Sequence, residues 1–97
     1  MVVEWQKVRV RPELRDLYVL RDREVWTHGL AREPGFLGKE TWLGEDGSEV
    51  ILIIRWREEA DWKGMPQERQ DALDRRFREA FPENEWELVE TRSFQVA

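Results

Sequence analysis

The chain has 97 residues, of which 40% are hydrophobic and 38% charged, and its formal net charge is −5. A chain of this length forms one domain with a modest core, and we expect residues 1–97 to be that domain. The 16 lysines and arginines are dispersed among 21 acidic residues, so we expect no nucleic-acid partner, because nucleic-acid binding needs clustered positive charge.

The absence of cysteine excludes disulfides and thiolate metal sites. No apolar run is long enough to span a membrane and MVVEWQKV is unlike a signal peptide, so we expect a cytoplasmic protein without a membrane partner.

The N-terminal third of the chain predicts one strand followed by one helix. VVEWQKVRV at residues 2–10 is short and rich in β-branched residues, and Pro12 then suits the first turn of a helix. Apolar side chains recur at helical spacing through residues 12–32, and a second apolar stripe flanks the first. The helix is expected to end at residues 33–35, Glu-Pro-Gly. Two stripes give the helix more apolar surface than packing on a single sheet requires. We therefore expect this helix to pack against a second neighbour.

The rest of the chain predicts a hairpin, a second helix and a last strand. Segments 36–43 and 49–56 are strand-like and flank the loop GEDGS, which is typical of an antiparallel hairpin. A short helical turn carries Trp62, and a longer helix is predicted between Pro66 and Pro82, before a strand at residues 86–96. The order βαββαβ predicts an α+β fold of the ferredoxin-like type. In that fold two helices cover one face of a four-stranded antiparallel sheet.

The third predicted strand, EVILIIRW, is apolar on both faces. The even-numbered residues from Val50 to Trp56 fall on one face, and Ile51 and Ile53 fall on the other. Two helices can cover only one of these faces, and each large apolar side chain left exposed forgoes roughly 1.5–3 kcal/mol. We therefore expect the second face to pack on another copy of the chain, giving a homodimer through the sheet face. The alternative is a monomer with a wide exposed apolar patch.

The chain resembles a known family. The βαββαβ order, the hairpin arm PGFLGKETWL, and EVILIIRW followed after five residues by Trp62 are similar to the dimeric α+β barrel proteins related to antibiotic-biosynthesis monooxygenases (ABM). The resemblance extends over almost the entire chain and specifies the fold better than the activity. It implies a homodimer whose sheets close into a barrel, with one cleft per subunit between its sheet and its helices. Some relatives are cofactor-free oxygenases that act on polycyclic phenols, and others bind and degrade haem.

The haem-degrading relatives provide a comparison by position. They use an asparagine on strand 1, a tryptophan after strand 3 and a histidine on the second helix. In this chain Trp62 matches the tryptophan, whereas the asparagine position falls on Gln6 and the histidine position falls near Ala72. This comparison argues against haem degradation by the same route. Haem binding by His28, from the other helix, is left open.

The first helix carries the candidates for acid–base chemistry. His28 is the only histidine and lies close to the apolar stripe, so it is a candidate general base near neutral pH. The alternative is a partly buried imidazole without a role in chemistry. Asp22 and Trp26 are four residues apart on one edge of the helix, where they would present a carboxylate and an indole to a ligand. The alternative is an exposed aspartate beside a packing tryptophan.

The remaining candidates are ligand-binding residues. Trp62 could stack on a flat molecule, or pack in the core. Arg55 faces away from Trp56 and is a candidate partner for an anionic ligand, although an ion pair with a glutamate is the favoured alternative. Gln6 could donate a hydrogen bond to a ligand oxygen, or be structural. The acidic residues at positions 83–90 have no accompanying histidine, so we expect neither a metal nor another cofactor.

These observations predict a cytoplasmic homodimer that binds a small apolar or aromatic molecule in each cleft between sheet and helices. The resemblance adds the activity of a cofactor-independent monooxygenase, with Trp62 in the pocket and His28 or Asp22 as acid or base. The alternative is a non-enzymatic module that carries a ligand or only dimerises. Haem binding is the third hypothesis.

Overall fold

The computed structural model describes residues 1–97 and contains one four-stranded antiparallel sheet. Its strands are, in chain order, β1 (Val2–Val10), β2 (Phe36–Leu43), β3 (Glu49–Trp56) and β4 (Trp86–Gln95). They lie side by side in the order β2-β3-β1-β4, which is the ferredoxin-like arrangement that the sequence predicted. The predicted bounds of the first three strands are confirmed, and β4 ends one residue earlier than expected.

The helices all lie on one face of the sheet and include one irregularity. The first helical region follows a 3₁₀ turn at Pro12–Leu14 and comprises α1 (Arg15–Asp22), a π-helical turn (Arg23–Thr27) and α2 (His28–Leu30). The second helical region comprises α3 (Glu59–Lys63) and α4 (Gln67–Ala80). The single regular helix predicted for residues 12–32 is therefore wrong in its middle. None of these helices is both long and apolar enough to cross a membrane.

The π-helical turn changes the direction in which the end of the first helix points. Its signature is the hydrogen bond from the backbone N–H of His28 to the carbonyl of Arg23, an i→i+5 bond in place of the α-helical i→i+4 bond. The wider turn accommodates one extra residue, so side chains after it lie out of phase with those before it. A projection at a constant angle per residue places Asp22 correctly relative to α1 and misplaces His28.

The core lies between the helices and the even-numbered residues of β1 and β3. Val8, Val50 and Trp56 on the strands are almost completely buried, as are Phe77 and Phe81 at the end of α4. Tyr18 of α1 packs edge-on against both phenylalanine rings, with centroid distances of 5.3 Å and 5.6 Å. These contacts tie α1, α4 and the sheet together around the middle of the molecule.

The opposite face of the sheet, which we call the open face, has no helix on it. Ile53 on this face is nevertheless only 3% exposed, so its neighbours within the same chain already cover it. Two ion pairs join strands across this face, Lys7–Glu49 at 3.2 Å and Arg55–Glu40 at 2.7 Å. The exposed apolar surface on this face comes from other strands instead, through Trp42 of β2 and Phe94 of β4.

Candidate functional site

A cavity of about 280 Å³ lies between the helical layer and the sheet. Of the 18 residues that line it, 12 are hydrophobic, and six of these are aromatic side chains from both helical regions and from β3 and β4: Tyr18, Trp26, Trp56, Trp62, Phe77 and Trp86. The other six are polar and come from β1, β2, α1 and α4: Glu4, Gln6, Asp22, Lys39, Gln70 and Asp74. Aromatic walls with a few convergent polar groups are typical of small-molecule sites.

Strand pairing places two of the polar side chains on the floor of the cavity. Side chains of a strand alternate between faces, so Glu4 and Gln6 share a face with the buried Val2 and Val8. The register sets Glu4 opposite Ile54 on β3. Lys39 of β2 pairs with the same residue, Ile54, from its other side. Glu4 and Lys39 therefore flank one isoleucine and point toward the same cavity.

A buried ion pair joins the sheet to the first helix inside this cavity. The ammonium nitrogen Nζ of Lys39 lies 2.7 Å from Oδ2 of Asp22, the last residue of α1. The two side chains are only 2% and 3% exposed. Removing two charges from water is costly, and each of these charges needs the other to offset that cost. Asp22 and Lys39 therefore behave as one fixed unit.

Glu4 is a second carboxyl group of the cavity; it is partly buried, and its environment differs from that of Asp22. Its Oε1 accepts a hydrogen bond of 2.7 Å from the indole Nε1 of Trp56. Burial raises the pKa of Glu4 above its ordinary value, while hydrogen bonding by Trp56 and Trp62 and the charges of Lys39 and Lys63 offset this rise only in part. The carboxyl group therefore takes up a proton at a higher pH than an exposed glutamate does.

Tyr18 contributes a neutral hydroxyl to the same cavity. Burial, with the nearby negative charge of Asp22 as a smaller cause, raises the pKa of Tyr18 well above its ordinary value. The phenol therefore keeps its proton throughout the physiological pH range and can act as a hydrogen-bond donor.

Four of the residues singled out in the sequence meet in the cavity: Gln6, Asp22, Trp26 and Trp62. Asp22 and Trp26 lie on either side of the start of the π-helical turn, and Trp62 reaches the cavity from α3. Arg55 does not join them, because it lies on the open face and pairs with Glu40. That ion pair is the alternative that the sequence favoured for Arg55.

His28 also lies outside the cavity. It lines a separate, open groove between α2 and α4, together with Arg32, Arg69 and neighbouring residues. The groove and the cavity are both lined by Met65, which is 7% exposed. The π-helical turn explains why the periodicity of the sequence placed His28 closer to the site than the structure does.

Sequence reasoning missed Glu4 and Lys39. A signal for Glu4 was present, because a glutamate and a glutamine share the inward face of an otherwise apolar strand, VVEWQKV. Lys39 was hidden by a bulge between Phe36 and Gly38, where the register with β3 shifts by one residue. Regular alternation counted from the core residue Phe36 would place Lys39 on the open face. The bulge turns its side chain into the cavity instead.

Comparison with known proteins assigns the chain to a family. The family model for antibiotic biosynthesis monooxygenases matches residues 1–70. This chain belongs to that family. The fold and the resemblance predicted from the sequence are confirmed by this match. No curated protein sequence is significantly similar to the chain.

Solved structures of the same fold agree with this assignment. HapK from Hahella chejuensis superposes with a TM-score of 0.74 at 14% identity, covering 100% of this chain and 93% of HapK. SnoaB, a cofactor-independent oxygenase from Streptomyces nogalater, gives a TM-score of 0.68 at 15% identity over 99% of this chain and 92% of SnoaB. A point mutant of MhuD with two manganese protoporphyrin IX molecules bound per active site gives 0.70 at 13% identity, over 99% of this chain and 94% of MhuD. Identities this low establish a shared fold and nothing finer.

Proposed function

We propose that this protein binds a small aromatic molecule in the cavity between its sheet and its helices. The observation that carries the proposal is the cavity itself, whose lining combines 12 hydrophobic residues, six of them aromatic, with six polar ones. An empty apolar cavity of about 150 Å³ is large enough to bind benzene. The cavity of about 280 Å³ therefore suits a molecule of about two fused rings.

The proposed reaction is oxygenation of that molecule by dioxygen without a metal or flavin. Membership of the monooxygenase family supports it, as does the likeness to SnoaB, a cofactor-independent oxygenase. Without a cofactor, the electrons that reduce dioxygen must come from the substrate, and loss of a proton makes an aromatic substrate a better electron donor. Trp26 and Trp62 would hold the ring system, and Gln6 would donate a hydrogen bond to a ligand oxygen. Asp22 and Lys39 would remain an ion pair, whose opposite charges cancel and add no net charge to the site.

The proposal includes a homodimer formed through the open face of the sheet. Trp42 and Phe94 on that face support it, because they stay 48% and 42% exposed in the single chain. Their contacts with Glu40 and Arg92 of the same chain cover them only in part. We also place the protein in the cytoplasm as part of this proposal.

Two alternatives make different predictions. A non-enzymatic carrier would bind the same aromatic molecules without consuming dioxygen. Haem binding has one point in its favour, the likeness to MhuD, whose structure holds a manganese porphyrin. The haem-binding hypothesis takes His28 as the iron ligand, and His28 lies outside the cavity. A porphyrin is also much larger than two fused rings.

Native mass spectrometry of the purified protein tests the proposal most directly. It reports the number of subunits and the mass of any small molecule that co-purifies. We expect a dimer, and a bound compound in the mass range of a small aromatic molecule. Monomers without any bound compound, at micromolar concentration, would contradict the dimer.

Isothermal titration with naphthalene tests the cavity itself. We expect naphthalene to bind, and Trp62→Ala to weaken its binding about tenfold because one aromatic wall is lost. His28→Ala is the matched control and should bind naphthalene as the unaltered protein does. A Soret band on addition of haem that His28→Ala abolishes would instead favour the haem alternative.

A further inference from the structure

We propose that Glu4 is the group that exchanges a proton with the ligand in the cavity, whereas Asp22 is held as the counter-ion of Lys39. This inference rests on the proposed function, since it assumes that the cavity takes a ligand. It reassigns the acid–base role from the helix residues that the sequence indicated to a strand residue that it did not. The basis is a comparison of the three carboxyl groups that line the cavity.

Two of these three carboxyl groups already have a charged partner at hydrogen-bond distance. Asp22 lies 2.7 Å from the ammonium group of Lys39. Asp74 accepts a hydrogen bond of 2.9 Å from the guanidinium group of Arg78, one turn further along α4. A ligand would therefore have to compete with a cation that is already bonded to Asp22 or to Asp74.

Glu4 is the one carboxyl of the three whose hydrogen-bond partners are neutral. The indole of Trp56 donates to Oε1 of Glu4, and the indole of Trp62 is a second neutral donor to the same carboxyl group. A carboxylate has about four acceptor positions, so it can still accept a hydrogen bond or a proton from a ligand. Trp56 is 1% exposed, so this donor is held rigidly by the core and orients the carboxyl group. A general base needs an acceptor atom that a ligand can reach, and it needs a fixed orientation. Glu4 meets both requirements.

The charged groups around Glu4 influence its pKa without forming an ion pair with it. The groups that face it are one cation on β2, one cation on α3, and acidic or phenolic groups on α1 and α4: Lys39, Lys63, Asp22, Tyr18 and Asp74. The largest influence is burial, which raises the pKa of Glu4 and brings its titration closer to neutral pH. A carboxyl group in this condition gains and loses a proton more readily at physiological pH than an exposed glutamate does.

The proton transfer that we infer is a single balanced step. An O–H, N–H or acidic C–H bond of the ligand breaks, its electron pair stays on the ligand, and the proton forms a new O–H bond at a carboxylate oxygen of Glu4. The negative charge moves from the carboxylate to the ligand, so the total charge of the cavity is unchanged. The same carboxylate would repel an anionic ligand. The cavity is therefore expected to prefer an aromatic molecule with a hydrogen-bond donor over one with a carboxylate.

The experiment compares three probes of similar size: naphthalene, 2-naphthol and 2-naphthoate. Isothermal titration measures their affinities for the unaltered protein, for Glu4→Gln, and for Glu45→Gln, which makes the same chemical change in the exposed hairpin loop. We expect the unaltered protein to bind 2-naphthol about tenfold more tightly than naphthalene at neutral pH, and to bind 2-naphthoate most weakly. Glu4→Gln should remove most of the preference for 2-naphthol, and Glu45→Gln should keep it.

The pH profile separates proton exchange from a merely structural role. Below about pH 8, 2-naphthol stays protonated, as the phenol of an ordinary tyrosine does, so a change in its affinity with pH reports on the protein. We expect that affinity to fall as the pH is lowered through the titration of Glu4, and we expect this dependence to be absent in Glu4→Gln. Carbon-13 NMR of the glutamate carboxyl groups gives a second measurement that needs no variant. One resonance should titrate above the others and shift when 2-naphthol is added.

The outcomes distinguish the two proposals. If naphthalene and 2-naphthol both fail to bind, the proposed function is wrong. If both bind, but Glu4→Gln keeps the preference and the pH profile, only the role of Glu4 is wrong. If Glu4→Gln does not fold, the NMR titration of the unaltered protein decides, and the absence of a ligand-sensitive, late-titrating resonance would contradict the inference.

Discussion

Two carboxyl groups that line the same cavity differ because of the groups that surround them. Asp22 has a lysine as its partner, and Glu4 has an indole. Burial penalises both charges, but only Asp22 forms an ion pair, whereas Lys39 and Lys63 act on Glu4 without bonding to it. The two residues are therefore expected to respond differently to substitution.

Lys39→Met should destabilise the protein by about 3–5 kcal/mol, because it leaves the Asp22 carboxylate buried without a cation. Urea denaturation measures this loss. Arg78→Met is the matched control, since it removes a cation from an exposed pair with Asp74 and should cost less than about 1 kcal/mol. The double variant Lys39→Met with Asp22→Leu should recover much of the lost stability. Equal losses for the two single variants would show that burial of the Lys39–Asp22 pair has no energetic consequence.

Glu4→Gln should change the dependence of stability on pH. The pKa of Glu4 is raised by burial, so the folded state binds this proton more tightly than the unfolded state. That contribution to stability is fully present below the ordinary pKa and is lost as the pH rises through the raised pKa. Glutamine does not titrate, so the stability of Glu4→Gln relative to the unaltered protein should increase from about pH 4 to about pH 8. Thermal unfolding across this range measures the difference, and a decrease would contradict the raised pKa.

The sequence predicted some of these residues and not others, for reasons specific to each position. Trp26 follows from helical spacing, and Gln6 and Trp62 were indicated by the resemblance to the family; the structure has all three at the cavity. Lys39 depends on a bulge in β2, and its partnership with Asp22 is a contact between elements far apart in the sequence. The raised pKa of Glu4 depends on how completely other elements bury it. None of these three properties is encoded in a local pattern.

At the level of elements, the strands were easier to predict than the first helix. Strand bounds follow from short strand-like segments separated by turn residues, and three of the four strands agree at both ends. The π-helical turn at Arg23–Thr27 has no comparable signal in REVWT. It exists because packing fixes residues on both sides of it, with Asp22 held by Lys39 and Leu30 buried in the core.

Deletion of Glu24, an exposed residue in this turn, tests its role. The shorter segment should form a regular α-helix, and because the wide turn takes up one extra residue without adding rotation, Leu30 should keep nearly its present direction relative to Asp22. Leu30 can then stay in the core and the Asp22–Lys39 ion pair can stay intact, so we expect the free energy of unfolding in urea to change by less than about 1 kcal/mol. The substitution Glu24→Gln, which preserves the length, should be nearly neutral. A loss of several kcal/mol in the deletion variant would contradict this expectation and show that the wide turn itself is needed to hold Asp22 and Leu30 in place.

At the level of the whole molecule, the sheet separates a ligand cavity from the open face. The sequence argument for a dimer relied on Ile51 and Ile53, but Ile53 is covered within its own chain. The apolar surface that remains belongs to Trp42 and Phe94, at opposite edges of the sheet. The expected interface is therefore broader than one strand and centred less on β3 than the sequence suggested.

Trp42→Lys should convert the expected dimer to monomers, because it places a charge in the interface, where burial without a partner is costly. Leu20→Lys is the matched control, since Leu20 is 46% exposed on α1 and Trp42 is 48% exposed on the open face. Sedimentation velocity at micromolar concentration distinguishes the two states. If Leu20→Lys dissociates the dimer and Trp42→Lys does not, the subunits meet through the helices instead.

Met65 gives the two concave regions of the molecule a common wall. It contributes to the lining of the cavity and of the groove that holds His28, and no other residue lines both. A methionine is unbranched and adapts its shape readily, so this shared wall is deformable. Shortening Met65 to alanine is expected to connect the two volumes, and a ligand too large for the cavity would then extend into the groove that His28 lines.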